Sequence, residues 1–144
     1  VTSIGISIVL QASLIATGAN SYSEARSTVT ETGQPMVVLV GAEWCPACVE
    51  MKQNVIPKVK RRGILRKIVF ATVNLDKQQK LGRQLTDGGP IPQLIMFRKT
   101  EKGWKRRKLI GGQSVGNVEN FVSQGMELDT SAKKDAKRDA GRSI

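Results

Sequence analysis

An unbroken apolar run, Met36-Val37-Val38-Leu39-Val40, stops just short of Trp44-Cys45-Pro46-Ala47-Cys48. In a chain that alternates strand and helix patterns, such a run reads as a strand in the middle of a sheet, covered on both faces. Pro46 suits the first turn of a helix, where its missing N–H costs nothing. Val49, Met51, Lys52, Val55, Ile56 and Val59 then give a partly apolar stripe toward Arg62, with Pro57 placed to kink the helix and Gly63 to stop it. The two cysteines, which are all the chain has, therefore fall where a buried strand turns into a helix.

Other elements follow from the same patterns. Ser21 to Thr32 suits a short amphipathic helix closed by Gly33 and Pro35. Ile68 to Leu75 reads as a second strand, Asp76 to Leu85 as a short polar helix, and Gln93 to Arg98 and Trp104 to Ile110 as two further strands. Gly103 at the turn predicts an antiparallel hairpin, and Ser114 can cap a last helix running through Met126. The expected order is α-β-α-β-α-β-β-α, and 144 residues suit one hydrophobic core with short flanking segments.

A strand running into a helix start places the Cys45 sulfur beside backbone N–H groups that have no intrahelical partner, at the positive end of the helix dipole. Such settings lower a thiol pKa from ~8.5 into the range ~3.5–7.5, which makes Cys45 the attacking sulfur and Cys48, one turn on, the resolving one. Two intervening residues bring both sulfurs within bonding reach. A purely structural disulfide is the rival, but closing so short a loop restrains little chain entropy.

Metal and haem readings fare worse. Structural zinc takes four protein ligands, whereas this chain offers two cysteines and no histidine, and Val49 rather than His follows Cys48. The lack of histidine also removes His-based acid–base catalysis and the serine-type triads. No cofactor and no resident metal are expected.

Lys and Arg outnumber Asp and Glu by 23 to 12, a formal charge of +11. The excess is concentrated in Lys58 to Lys67, Arg98 to Lys108 and Lys133 to Arg142. With Trp104 the one aromatic among these cations, they read as solvated faces, and nucleic acid is not the expected partner. At the other end no charge precedes Glu24, and Ile4 to Ala19 is mostly apolar. Residues 1–19 are expected to be an export signal, with a membrane anchor as the alternative, residues 20–128 the folded domain, and residues 129–144 a basic tail, disordered or only transiently helical.

From Tyr22 through Met126 the sequence resembles the thioredoxin superfamily. Besides the Trp-Cys-Pro-Ala-Cys run, the resemblance rests on Ile91-Pro92 ahead of a strand, where the family has its cis-proline loop, on Asn74-Leu75-Asp76, and on the spacing of Gly111, Ser114 and Phe121. It implies an α/β fold with a central mixed four-stranded sheet flanked by helices. It also implies that Ile91 and Pro92 offer backbone groups to an extended substrate segment, with Trp44 as a hydrophobic platform for the partner, the alternative for Trp44 being a core residue. Pro46 and Ala47 form the spacer, an influence on redox potential, and differ from the family's common Gly-Pro.

Three further departures stand out. Leu39 occupies the place of a buried Asp common in the family, Thr72 that of its partner Lys, and Val49 that of a Lys after the second cysteine. Cys48 is thus left without a buried base, and Glu43 is the substitute the sequence offers.

The resemblance implies a thiol–disulfide oxidoreductase, with reduction the favoured direction, exchanging its dithiol with protein thiols and disulfides; the apolar N-terminal segment adds the expectation of export, and with it the need for a membrane or soluble electron donor. Export would place it in a periplasmic or other extracytoplasmic space, with the N-terminal segment able to associate with a membrane. A binding module of the same fold that handles Cu(I) through the two thiolates is the alternative.

Overall fold

The structure, a computed structural model, describes residues 21–140. Its first helix, α1 (Tyr22–Thr32), opens with a capping box. The Ser21 hydroxyl accepts from the Glu24 N–H at 3.3 Å, and the Ser21 N–H donates to the Glu24 carboxylate at 3.1 Å. Gly33, in the left-handed conformation at φ 71°, ends the helix.

Strands β1 (Met36–Gly41), β2 (Val69–Asn74), β3 (Gln93–Thr100) and β4 (Gly103–Ile110) form one four-stranded sheet in the order β2-β1-β3-β4. β2 runs parallel to β1, while β3 is antiparallel to both β1 and β4. β1 is therefore interior, as its apolar run predicts, and its alternate side chains serve two cores. Val37 and Leu39 pack with Met51, Val59, Phe121 and Val122. Val38 and Val40 pack on the opposite face with Ala25, Val29 and Leu85. The fold is thus a mixed sheet flanked by helices on both faces.

The helical segment after the cysteines is continuous but not uniform: α2 (Pro46–Glu50), a π turn (Met51–Val55) and α3 (Ile56–Arg61). The expected irregularity at Pro57 takes the form of this π turn, in which the Ile56 N–H reaches back to the Met51 carbonyl. Met51, Val55, Ile56 and Val59 are buried. Lys52, expected on the same stripe, is exposed instead.

The helix expected from Asp76 begins three residues later as α4 (Gln79–Thr86), because Asn74 accepts the Asp76 N–H at 2.9 Å and closes a turn first. α5 (Val115–Ala140) departs more widely from expectation. Ser114 caps its start by accepting the Asn117 N–H at 3.1 Å, but the helix does not end at Met126. It continues through a stretch expected to be disordered or only transiently helical. Neither Gly nor Pro interrupts residues 126–140, whose Ala, Lys and Arg are good helix formers, and extending an existing helix avoids the nucleation cost. The export or anchor segment expected at residues 1–19 lies outside the described residues, as do the last four residues of the tail. Among the described residues no helix is long and apolar enough to cross a membrane.

Several basic residues are engaged within the domain. Arg62 pairs with Glu119 at 3.1 Å, and the Lys60 ammonium lies 4.4 Å from the centre of the Phe70 ring, where partial burial lowers its pKa. Arg106 and Lys108 converge on Asp87.

Candidate redox site

Cys45 is the residue from which the helical segment starts. Its sulfur accepts the Cys48 N–H at 3.2 Å, and its carbonyl takes the first intrahelical bond, from the Val49 N–H at 3.1 Å. Pro46 fills the first helical position. Cys45 and Cys48 are joined by a disulfide across a Cα–Cα separation of 5.2 Å, and both are largely covered, at 7% and 4% exposure.

The strand before the site is shaped by this pair. A Cβ on Gly41 would stand 2.9 Å from the Cys48 Cβ and 3.1 Å from its sulfur, so β1 reaches the helix start only because its last residue has no side chain. Ala42 and Ile91 complete the apolar wall around the two sulfurs. The Ile91–Pro92 peptide bond is cis. The Pro92 carbonyl accepts the Gly111 N–H at 2.8 Å, which ties this loop to the end of β4.

Trp44 is 67% exposed, which rules out the alternative of a core residue. Its indole N–H donates to the Asp76 carboxylate at 3.1 Å, so the ring is an anchored surface plate next to Cys45. Asp76, which the sequence marks only as the junction of a strand and a helix, thereby gains a part in the site. Ala47 meets Gly112 at the far side of the helix start, where a Cβ on Gly112 would be 3.4 Å from the Ala47 Cβ.

Gln93 has no warning in the sequence. It is 1% exposed, immediately after Pro92, and its amide donates to the carbonyls of Pro90 at 3.0 Å and Thr86 at 3.4 Å. The sequence marks it only as the first residue of a strand.

Behind Cys48 lies a cavity of about 220 Å³, open to one side, whose lining includes Leu39, Glu43, Cys48, Lys52 and Thr72. Leu39 and Thr72 are direct partners across the β1–β2 ladder. Glu43, the sequence candidate for a substitute base, is strongly exposed and lies 3.9 Å from Lys77. Among the described residues no cluster of three or more His, Cys, Asp or Glu is gathered to hold a metal.

The sequence model of a family described as thioredoxin-like matches residues 17–99, more than half of the chain. Among solved structures, a thioredoxin from Thermus thermophilus is similar at 25% identity and a TM-score of 0.62, over 74% of this chain and 84% of that one. Trxlp from Edwardsiella tarda is similar at 25% identity and a TM-score of 0.57, over 72% and 95%. A thioredoxin from Trichomonas vaginalis, at 18% identity, shares the fold with a TM-score of 0.58 over 74% and 93%. A comparison with curated protein sequences gives no significant match.

Proposed function

The chain belongs to the thioredoxin-like family, and from that premise we propose that it is a thiol–disulfide oxidoreductase that reduces disulfides in partner proteins. The observation that carries this reading is the placement of Cys45 as the cap of the helix, its sulfur accepting the Cys48 N–H. A thiolate there is held by the helix start and by that N–H.

In the forward step the Cys45 thiolate attacks one sulfur of the partner's disulfide and expels the other as a thiol. The Cys48 thiolate then attacks Cys45 in the mixed disulfide and releases the second partner thiol, leaving the Cys45–Cys48 disulfide. Two electrons pass from the dithiol to the partner, and a donor must return them. Trp44, Ile91 and Pro92 offer the partner segment a hydrophobic plate and a backbone edge beside the sulfurs.

The reducing direction is supported by what surrounds Cys45. Strong oxidants of this chemistry owe their potential to an over-stabilised thiolate. Here the residues packed around the sulfurs, Ala42 and Ile91, are apolar, and Val49 stands where a cation is common. We place the reaction in an extracytoplasmic space, on the charge-free apolar stretch before Glu24, with an electron donor in the adjoining membrane.

Equilibration in defined thiol buffers, followed by counting alkylated cysteines, gives the potential of the pair. A value near ~−270 mV supports the reductase and one near ~−120 mV reverses its direction. If no reversible Cys45–Cys48 disulfide forms, the oxidoreductase reading is lost and a binding module takes its place.

A further inference from the structure

Resolution of the mixed disulfide requires Cys48 to lose its proton, and its surroundings work against that. Cys48 is 4% exposed and the cavity behind it is floored by Leu39, so desolvation disfavours the charged sulfur. The charged residues lining the cavity are Lys52 and Glu43. Lys52 lies one helical turn beyond Cys48 on the same segment and faces the same space. The Glu43 carboxylate would oppose ionisation of Cys48, but Lys77 lies 3.9 Å from it. The remaining carboxylate at this end of β2, Asp76, receives the Trp44 indole N–H. Thr72, Asn74 and Gln53 contribute only neutral groups. Lys52 is therefore the cation among the residues that line the cavity, and the Glu43 carboxylate on the same wall has Lys77 as its own counter-ion.

We propose that Lys52 supports the resolving step by stabilising the Cys48 thiolate across this cavity, through which the thiol proton leaves to water. A space of about 220 Å³ exceeds the ~30 Å³ share of one liquid water, so a short water path fits. This inference rests on the exchange chemistry proposed above. In the step itself the Cys48 S–H proton passes to cavity water and on to buffer. The Cys48 sulfur then bonds to the Cys45 sulfur, and the leaving thiolate takes the electron pair of the broken bond. Lys52 neither gains nor loses a proton, and its charge lowers the cost of the thiolate.

The reduced protein mixed with excess dithiodipyridine, an uncharged disulfide, releases one thiopyridone when Cys45 attacks and a second when Cys48 resolves. Lys52→Gln is expected to slow the second release relative to the first by about threefold at neutral pH, the loss of thiolate that accompanies about half a pKa unit. The difference should vanish at pH values above the thiol's pKa, Lys52→Arg should restore the wild-type ratio, and Lys52→Glu should lower it further. An unchanged ratio in Lys52→Gln overturns the proposal, as does a slowing that is equal at every pH, since that is the signature of a structural effect. Absence of a second release in the wild-type protein removes the exchange chemistry itself and the proposal with it.

Discussion

Gly41 lies against Cys48 so closely that any side chain at 41 would meet the resolving cysteine, with a Cβ only 2.9 Å from the Cys48 Cβ. The contact joins the end of a central strand to the second residue of the disulfide, so backbone and redox centre cannot adjust independently. Gly41→Ala is expected to destabilise the protein by about 1–3 kcal/mol, the usual range for overpacking a close-packed site. The oxidised protein should lose more than the reduced one, because the disulfide holds Cys48 in place whereas a free thiol can turn away. Denaturant titrations of both redox forms measure this. Equal losses would show that the crowding is absorbed by the strand alone.

The Trp44–Asp76 hydrogen bond separates partner recognition from chemistry. Asp76→Ala frees the indole without touching either sulfur, so reaction with a small disulfide should keep its rate. The KM for a protein disulfide should rise about fivefold, the equivalent of a hydrogen bond worth about 1 kcal/mol. Steady-state assays with both substrates decide the matter. A parallel loss with the small disulfide would place Asp76 in the chemistry rather than in recognition.

Gln93 anchors the loop that carries Ile91 and Pro92, through its amide bonds to the Thr86 and Pro90 carbonyls. Gln93→Met keeps most of the volume and removes the amide donor from both carbonyls, of which that of Thr86 keeps the Gly89 N–H, and should cost about 0.5–1.5 kcal/mol. Gln93→Ala adds a cavity and should cost more. Thermal unfolding of the two variants separates hydrogen bonding from packing. If both lose the same amount, the hydrogen bonds account for the whole effect.

How much of this was legible in the sequence depends on the range of the interaction concerned. β1 announces itself because a strand buried on both faces must be apolar at every position, and Met36 to Val40 satisfies that without help from context. Gly33 and Gly103 mark their turns because left-handed backbone, at φ 71° and 97°, favours glycine whatever surrounds it. The tail of α5 is less legible for the opposite reason. Its composition offers no apolar face, but a helix already nucleated and packed through Val118, Phe121 and Val122 can be extended by residues that would not start one.

At the site, Cys45 and Cys48 are legible because two residues and one helix start define their relation locally. Asp76, Gln93 and Lys52 are not, since their parts depend on which loop a fold brings beside which strand. The Asp76–Trp44 bond spans 32 positions. Lys52 illustrates the limit most clearly. In sequence it falls among the apolar positions of the helix, and the π turn that begins at Met51 changes the angular relation between neighbouring side chains. Lys52 stands one helical turn after Cys48, and what the sequence does not show is the cavity that both of them line.

Asp87 gives the fold a pH dependence whose sign can be worked out. Hydrogen bonds from Lys108 and then Arg106 hold its carboxyl below the usual carboxylate pKa. A group with a lowered folded-state pKa stabilises the protein above its unfolded pKa, and that contribution fades as pH falls through the folded value. Asp87 is solvent-exposed and its pairs are screened, so the effect is small and salt-sensitive. Asp87 also ends α4 in the left-handed conformation, at φ 54°, which Asn tolerates well, so Asp87→Asn removes the charge while respecting the backbone. The variant should be less stable than wild type at neutral pH and low salt, and the two should converge both in acid and in high salt. Thermal melts across that grid provide the check, and a difference that persists in acid would assign the loss to the helix end instead of the ion pairs.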